Sequence, residues 1–337
     1  MSTFKHPIVL GAGSWGTALA MVLAAKGPVK LWGYLQEHVE ELQKSRINTP
    51  YLPGLRLRDE ITVTHDLKDA RDADLIVFVT PSRAIRETCQ KLASLRVKED
   101  VVLVSCTKGI EADSGKCMTE VLSEYFPKNP VAVLSGPSHA EEVARGTPSA
   151  VVIGCENVEV GKKLQESFAT DGFRVYTEED VKGIELGGAI KNVFAIAAGV
   201  CDGLGLGDNT KAALVTRALA EEVRLGVVLG GEPETFQGLS GIGDLIVTCF
   251  SRHSRNRGVG ERIGRGESLE DITHSMKMIA EGVPNTLSLY QCAKKCDVYT
   301  PLLDEVYAML YQNKPPITAM QDLMARDLKP ERNILEE

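Results

Sequence analysis

Short apolar runs of strand length recur through the first half of the chain. They fall at 8–10, Val29–Trp32, 74–80 (DLIVFVT), 101–106 (VVLVSC), Val131–Ser135 and 150–153. The runs at 74–80 and 101–106 are almost continuously apolar, which is the pattern of strands covered on both faces of a parallel sheet. Between the runs, helical spacing predicts helices at 17–26, around 84–95 and around 115–125. Strands alternating with helices predict an α/β fold with a doubly wound parallel sheet. The pattern changes after about residue 177. Glu178-Glu179-Asp180 suits a helix start, because negative charge is favoured at a helix N-terminus. From there apolar residues recur at helical spacing, as in 212–226, 268–278 and 302–311, and no convincing strand follows. The expected organisation is a sheet domain over 1–180 followed by an all-α domain over 181–337.

The first strand runs directly into Gly11-Ala12-Gly13-Ser14-Trp15-Gly16, and a helix follows. The G-x-G-x-x-G spacing between a strand and a helix is the layout of a Rossmann-type dinucleotide turn. Gly11 would allow the tight turn, Gly13 would admit a pyrophosphate, and Gly16 would let helix and strand pack closely. The helix N-terminus would offer N–H groups and partial positive charge to phosphates.

Composition narrows the function classes. A net charge of −8 argues against bulk attraction to nucleic acid or an anionic membrane. The start of the chain does not read as a signal peptide, and no run approaches the roughly 20 apolar residues that span a bilayer. The eight cysteines are scattered, and only Cys292 and Cys296 lie close in sequence. This predicts reduced thiols in a cytoplasmic protein and no metal site.

Three polar clusters follow strands, where open α/β sheets bind ligands. They are Thr80-Pro81-Ser82, Thr107-Lys108-Gly109 and Gly136-Pro137-Ser138-His139-Ala140. Lys108 could direct its ammonium at an anionic substrate or a cofactor. In the second half, Gly187-Gly188-Ala189-Ile190-Lys191-Asn192 places two adjacent glycines in a helical pattern. Each costs about 1 kcal/mol relative to Ala in a helix, so close backbone approach is expected there. Lys191 among small and apolar neighbours would have a lowered pKa, as a proton donor or acceptor needs; a salt-bridged structural lysine is the plainer alternative. Asp244 follows a glycine-rich loop and suits either an N-cap or a site. Arg252, Arg255 and Arg257 lie among Ser254 and Asn256, a local anion trap in an acidic chain. An RNA-binding loop is disfavoured by the missing aromatics and the charge.

These stretches together resemble the bacterial NAD(P)-dependent glycerol-3-phosphate dehydrogenases. The resemblance is carried by GAGSWGTALA (11–20), SCTKGIE (105–111), LSGPSHAEEVARGTPSA (134–150), LGGAIKNVFAIAAG (186–199), GDNTKAALVTRALAE (207–221), GLSGIGDLIVTC (238–249), SRNR (254–257) and AEGVPNT (280–286). It covers nearly the whole chain. It implies interconversion of dihydroxyacetone phosphate and sn-glycerol 3-phosphate, supplying phospholipid synthesis, by a cytoplasmic homodimer. Lys191 would be the general acid/base, assisted by Asp244, and Lys108 would touch substrate and cofactor. Asn192 and Thr248 would build the pocket, while Ser254, Arg255 and Asn256 would hold the substrate phosphate. Gly136 and Ser138 would line the substrate site. Gly11, Gly13, Ser14, Trp15, Gly16, Tyr34, Ala140, Arg255, Ile279 and Glu281 would contact the cofactor.

NAD enzymes of this fold carry an acid about 20 residues past the turn, bonded to the ribose 2′-OH. Here that point reads Trp32-Gly33-Tyr34-Leu35-Gln36, and the first acid is Glu37. No arginine stands there to grip a 2′-phosphate either. NADP(H) or NAD(H) is the expected cofactor, NADP(H) favoured. Two rival readings remain: a related dehydrogenase acting on another phosphorylated or carboxylated substrate, and a regulatory protein that binds dinucleotide without turnover.

Overall fold

The structure, a computed structural model, describes residues 4–112, 114–276, 280–328 and 330–331. The chain divides into two compact units, Met1–Thr107 with Met118–Val181, and Lys108–Cys117 with Lys182–Glu337. The short segment 108–117, which carries Lys108, therefore belongs with the helical part of the chain.

The first unit contains β1 (Pro7–Leu10), α1 (Ser14–Leu23), β2 (Val29–Trp32), α2 (Gln36–Ser45), β3 (Ile61–Thr64), β4 (Leu75–Phe78), α3 (Ile85–Ser94) and β5 (Val102–Ser105). It continues with α4 (Met118–Tyr125), β6 (Val131–Ser135), α5 (Ala140–Ala144), β7 (Ser149–Gly154), α6 (Val158–Phe168) and β8 (Phe173–Glu178). The strands form one sheet in the order β3-β2-β1-β4-β5-β6-β7-β8. The first six positions follow the 3-2-1-4-5-6 order of a Rossmann fold and are parallel. β7 departs from the all-parallel expectation, since it pairs antiparallel with β6 and parallel with β8.

Strand periodicity explains the two cores of this unit. Successive side chains point to opposite faces. Val9, Leu31, Val77 and Val104 enter one cluster, whereas Ile8, Leu10, Ile76, Phe78 and Leu103 enter the other. The two strands absent from the sequence reading are the edge strands, β3 and β8. In β8, Phe173 and Val175 are buried and Arg174 and Tyr176 exposed, so only one face reads as apolar.

The second unit contains α7 (Val181–Gly203), α8 (Gly207–Val228), α9 (Asp244–Phe250), α10 (Arg255–Gly264), α11 (Leu269–Ser275), α12 (Gly282–Lys295), α13 (Pro301–Tyr311) and α14 (Pro316–Met324). The helix read at 268–278 ends at Ser275, and 277–279 lie outside the described residues. Helix α7 qualifies the transmembrane reading. It is long and apolar enough to cross a membrane by length and composition, yet its most apolar window is wholly buried. It is the core helix of this unit. α10 lies against it at very close range. A Cβ at Gly260 would come within 1.9 Å of the Ile196 carbonyl oxygen, and one at Gly199 within 1.9 Å of that of Arg257.

Candidate active site

The first unit supplies a phosphate cradle. Gly11 has φ +127°, and a Cβ there would meet the Val79 carbonyl oxygen at 2.7 Å. A Cβ at Gly16 would meet the Gly11 carbonyl oxygen at 1.8 Å, so both positions require glycine. Gly13 differs, since nothing lies within 4 Å of its missing Cβ. That open space is where a pyrophosphate would approach the backbone. Buried Asn48, which the sequence reading missed, holds the turn by donating to the Ala12 carbonyl (2.9 Å) and Thr17 Oγ1 (2.7 Å). Trp15 Nε1 is buried with no hydrogen-bond partner among the described residues. The cradle thus fits a dinucleotide, and Gly11, Gly13, Ser14, Trp15 and Gly16 would hold it.

Other expected cofactor and substrate residues of this unit lie at strand ends. Tyr34 follows β2 and is 64% exposed. Lys91 of α3 places Nζ 5.4 Å from the centre of the Tyr34 ring, while also bonding Glu87 at 2.6 Å. Gly136 follows β6 with φ +132°, Ser138 Oγ donates to its carbonyl at 2.9 Å, and Ala140 opens α5.

The second unit gathers residues 53 to 136 positions apart in sequence. Lys191 on α7 is buried, and its Nζ donates to Asp244 Oδ1 and, at 2.7 Å, to Thr248 Oγ1. Lys108 Nζ donates to the other oxygen, Asp244 Oδ2, at 2.5 Å. Two lysines thus share one buried carboxylate. Asp244 and Thr248 lie one turn apart on α9, and Thr248 Oγ1 donates back to the Asp244 carbonyl at 2.6 Å. Asp244 is the first residue of α9 and does not act as its N-cap. A Cβ at Gly187 would sit 2.7 Å from the Ser240 carbonyl oxygen, so the expected close approach is to the π-helical turn Leu239–Gly243 that leads into Asp244.

Electrostatics follow from this packing. Burial drives the Lys191 ammonium down to about 7; the Lys108 charge also lowers it, while Asp244 opposes the fall. Burial would raise the Asp244 carboxyl, but Lys108 and Lys191 outweigh it and hold it below its ordinary value. Glu222 on α8, absent from the sequence reading, is a further acid facing this group. It is fully buried, with no hydrogen-bond partner for either oxygen among the described residues. Burial, then the Asp244 charge, push its carboxyl well above the usual value, against Lys191.

The expected anion clamp lies at the start of α10. Ser254 caps the helix, its Oγ accepting from Arg257 N–H at 3.2 Å. Arg255 opens the helix and is exposed. Asn256 Nδ2 donates to Asn192 Oδ1 at 2.8 Å, and its Oδ1 accepts from Gly282 N–H at 2.9 Å. Glu281 precedes α12, and Ile279 lies outside the described residues. Asn285, another residue missed from sequence, donates from buried Nδ2 to the Lys108 and Ala189 carbonyls.

A Rossmann sheet with its phosphate cradle, and a helical unit with a buried lysine titrating near neutrality, define the class of two-domain nicotinamide-dependent dehydrogenases. Residues 8–161 match the N-terminal domain, and 180–321 the C-terminal domain, of NAD-dependent glycerol-3-phosphate dehydrogenase. The chain is 50% identical over 333 residues to glycerol-3-phosphate dehydrogenase (NAD(P)+) of Chlorobium luteolum, covering 97% of this chain and all of that one. It is 47% identical over 329 residues to the enzyme of the same name from Geobacter sulfurreducens, covering 96% and 98%. The crystal structure of glycerol-3-phosphate dehydrogenase from Coxiella burnetii superposes with a TM-score of 0.92 at 40% identity, covering 96% of this chain and 99% of that one. The chain belongs to the NAD-dependent glycerol-3-phosphate dehydrogenase family.

Proposed function

We propose that this chain interconverts dihydroxyacetone phosphate and sn-glycerol 3-phosphate with NAD(P)H. The observation that carries the reading is the buried Lys191 bonded to a carboxylate it shares with Lys108. When bound, the nicotinamide cofactor supplies the hydride. Reduction of the ketone turns its oxygen into a developing alkoxide, which needs a positive charge and then a proton. Lys191 offers both. An ammonium has three N–H donors, and Asp244 and Thr248 take two, leaving one for the substrate oxygen. Asp244 orients the ammonium and Lys108 adds a second positive charge.

The substrate phosphate fits the start of α10, where Arg255 and Asn256 would join the first N–H groups of the helix. Binding energy there orients the reacting carbon. Lys191, Asp244, Lys108, Asn192, Thr248, Ser254, Arg255 and Asn256 are therefore the proposed substrate residues of the helical unit, with Gly136 and Ser138 from the sheet unit. Tyr34, Ala140, Ile279 and Glu281 are proposed cofactor contacts.

NADPH is favoured over NADH. The end of β2 carries no acid to repel a 2′-phosphate, and the Lys91 ammonium stands over Tyr34 at that edge. We propose also a cytoplasmic homodimer, without membrane insertion, that supplies phospholipid synthesis.

The test follows nicotinamide absorbance with NADPH, and separately NADH, on adding dihydroxyacetone phosphate or unphosphorylated dihydroxyacetone. Turnover that requires the phosphate is expected, and turnover of neither compound would sink the reading. Lys91→Ala should raise KM for NADPH about tenfold with little effect on NADH, the loss of one charge-assisted contact. Equal effects on both cofactors would remove Lys91 from the choice.

A further inference from the structure

The start of α12 is tied to the site from two sides. Asn256 of α10 accepts from Gly282 N–H and donates to Asn192 of α7, so α7, α10 and α12 share one amide chain. One turn on, Asn285 is fully buried. Its Nδ2 donates to the Lys108 carbonyl at 3.3 Å and to the Ala189 carbonyl at 3.3 Å. Ala189 lies two residues before Lys191 on α7, so one side-chain amide spans the main chains that carry the two lysines.

The chemistry of this contact is selective. Both partners are carbonyls, so only a group with two N–H donors satisfies them together, which fixes the orientation of the amide. Aspartate at this position would set acceptors against acceptors. Asn285 Oδ1 finds no partner among the described residues. The orphaned oxygen accompanies the two N–H donors that the Lys108 and Ala189 carbonyls accept, so the amide is held here by that bridge.

We propose that Asn285 is a positioning residue, whose amide fixes Lys108 against α7 and so sets the reach of Lys108 Nζ to Asp244. The inference rests on the dehydrogenase reading for its kinetic consequence. Lys108 reaches Asp244 Oδ2 while Lys191 takes Oδ1. If the tether is cut, Lys108 withdraws and its positive charge no longer opposes that of Lys191. Asp244 then acts on Lys191 alone. The other groups facing Lys191, namely Thr248, the buried Glu222 and the buried Cys249 thiol, do not change. Lys191 therefore holds its proton to higher pH.

The experiment compares Asn285→Ser and Asn285→Leu in the native chain and in a Lys108→Ala background. Wild-type turnover of dihydroxyacetone phosphate is recorded first. The Lys191 Nζ titration is also followed by NMR without substrate. In the native background kcat should fall about tenfold or more, the scale expected of misplaced groups. KM for the phosphorylated substrate should rise too, because Lys108 is itself a proposed substrate contact, but by less than kcat falls, because the anion clamp lies on α10. The pH at which reduction fails, and the Nζ midpoint, should both rise. In the Lys108→Ala background the Asn285 changes should add no more than about twofold, since their route of action is gone. A native kcat with an unshifted pH limb, or an equal loss in both backgrounds, would overturn the proposal. If Asn285→Leu fails to fold, Asn285→Ser decides. Absent wild-type turnover would defeat the functional reading, while an unmoved Nζ midpoint in Asn285→Ser would defeat the tether.

Discussion

Lys191 concentrates the chemistry at the scale of single residues. Its burial lowers the ammonium to about 7, so both protonation states are populated at neutral pH. Reduction needs the charged form and should fade as pH rises through that region; oxidation needs the neutral form and should grow. Lys191→Ala should lower kcat by about 10²- to 10⁴-fold, the range for a lost general acid, and flatten this dependence. A steady-state pH profile in both directions checks it, and an Ala variant with the native profile would take the lysine out of the mechanism. These neighbours are not readable in the sequence. A lysine among small and apolar residues suggests burial, but its partners Asp244 and Thr248 lie 53 and 57 residues away. Only the packing of α9 against α7 brings them together. Glu222 is harder still, since an acid in a charged run on α8 reads as solvated.

At the scale of elements, the fit of α10 to α7 sets the clamp beside the lysine. Two glycines on α10 separate propensity from packing. At Gly258 a Cβ would meet nothing within 4 Å, so Gly258→Ala should stabilise by up to about 1 kcal/mol through helix propensity. At Gly260 it would press on the backbone of α7, so Gly260→Ala should destabilise by about 1–3 kcal/mol despite the better propensity. Denaturant melts of both variants test this, and two changes of the same sign would refute it. Because Asn256 bonds Asn192 across the same contact, Gly260→Ala should also raise KM for the phosphorylated substrate. Element types were legible where one period dominates. The central strands β1, β4 and β5 stand out as continuous apolar runs. β3 and β8 did not, because an edge strand shows alternation over only a few residues. The 108–117 segment followed a strand in sequence, so nothing in the local pattern assigned it to the helical unit.

At the scale of the whole molecule, buried ionisable groups pull stability in opposite directions with pH. Glu221 accepts from the Leu302 and Leu303 N–H groups at the start of α13, yet burial raises its carboxyl to about 7. Burial, then the Asp244 charge, push Glu222 well above its ordinary value, and it has no such partners. An acid raised on folding keeps its proton in the native state while the unfolded chain releases it. Stability is therefore lost as pH climbs above about 4.5, the unfolded value, toward the folded one. Lys191 has the reverse sign. Its folded value near 7 lies below the unfolded 10.5, so the native state binds fewer protons between them and stability is regained as pH rises through that window. Glu222→Met keeps the length of the side chain and removes the unpartnered oxygens. It should stabilise by about 1–3 kcal/mol near pH 4, the cost of unsatisfied polar atoms, and by progressively more as pH rises. Urea unfolding of both proteins at a series of pH values measures the difference. A gain that stays constant with pH would mean that Glu222 ionises in the native state as it does in the unfolded chain, and that the two lysines share a second negative charge instead of Asp244 alone.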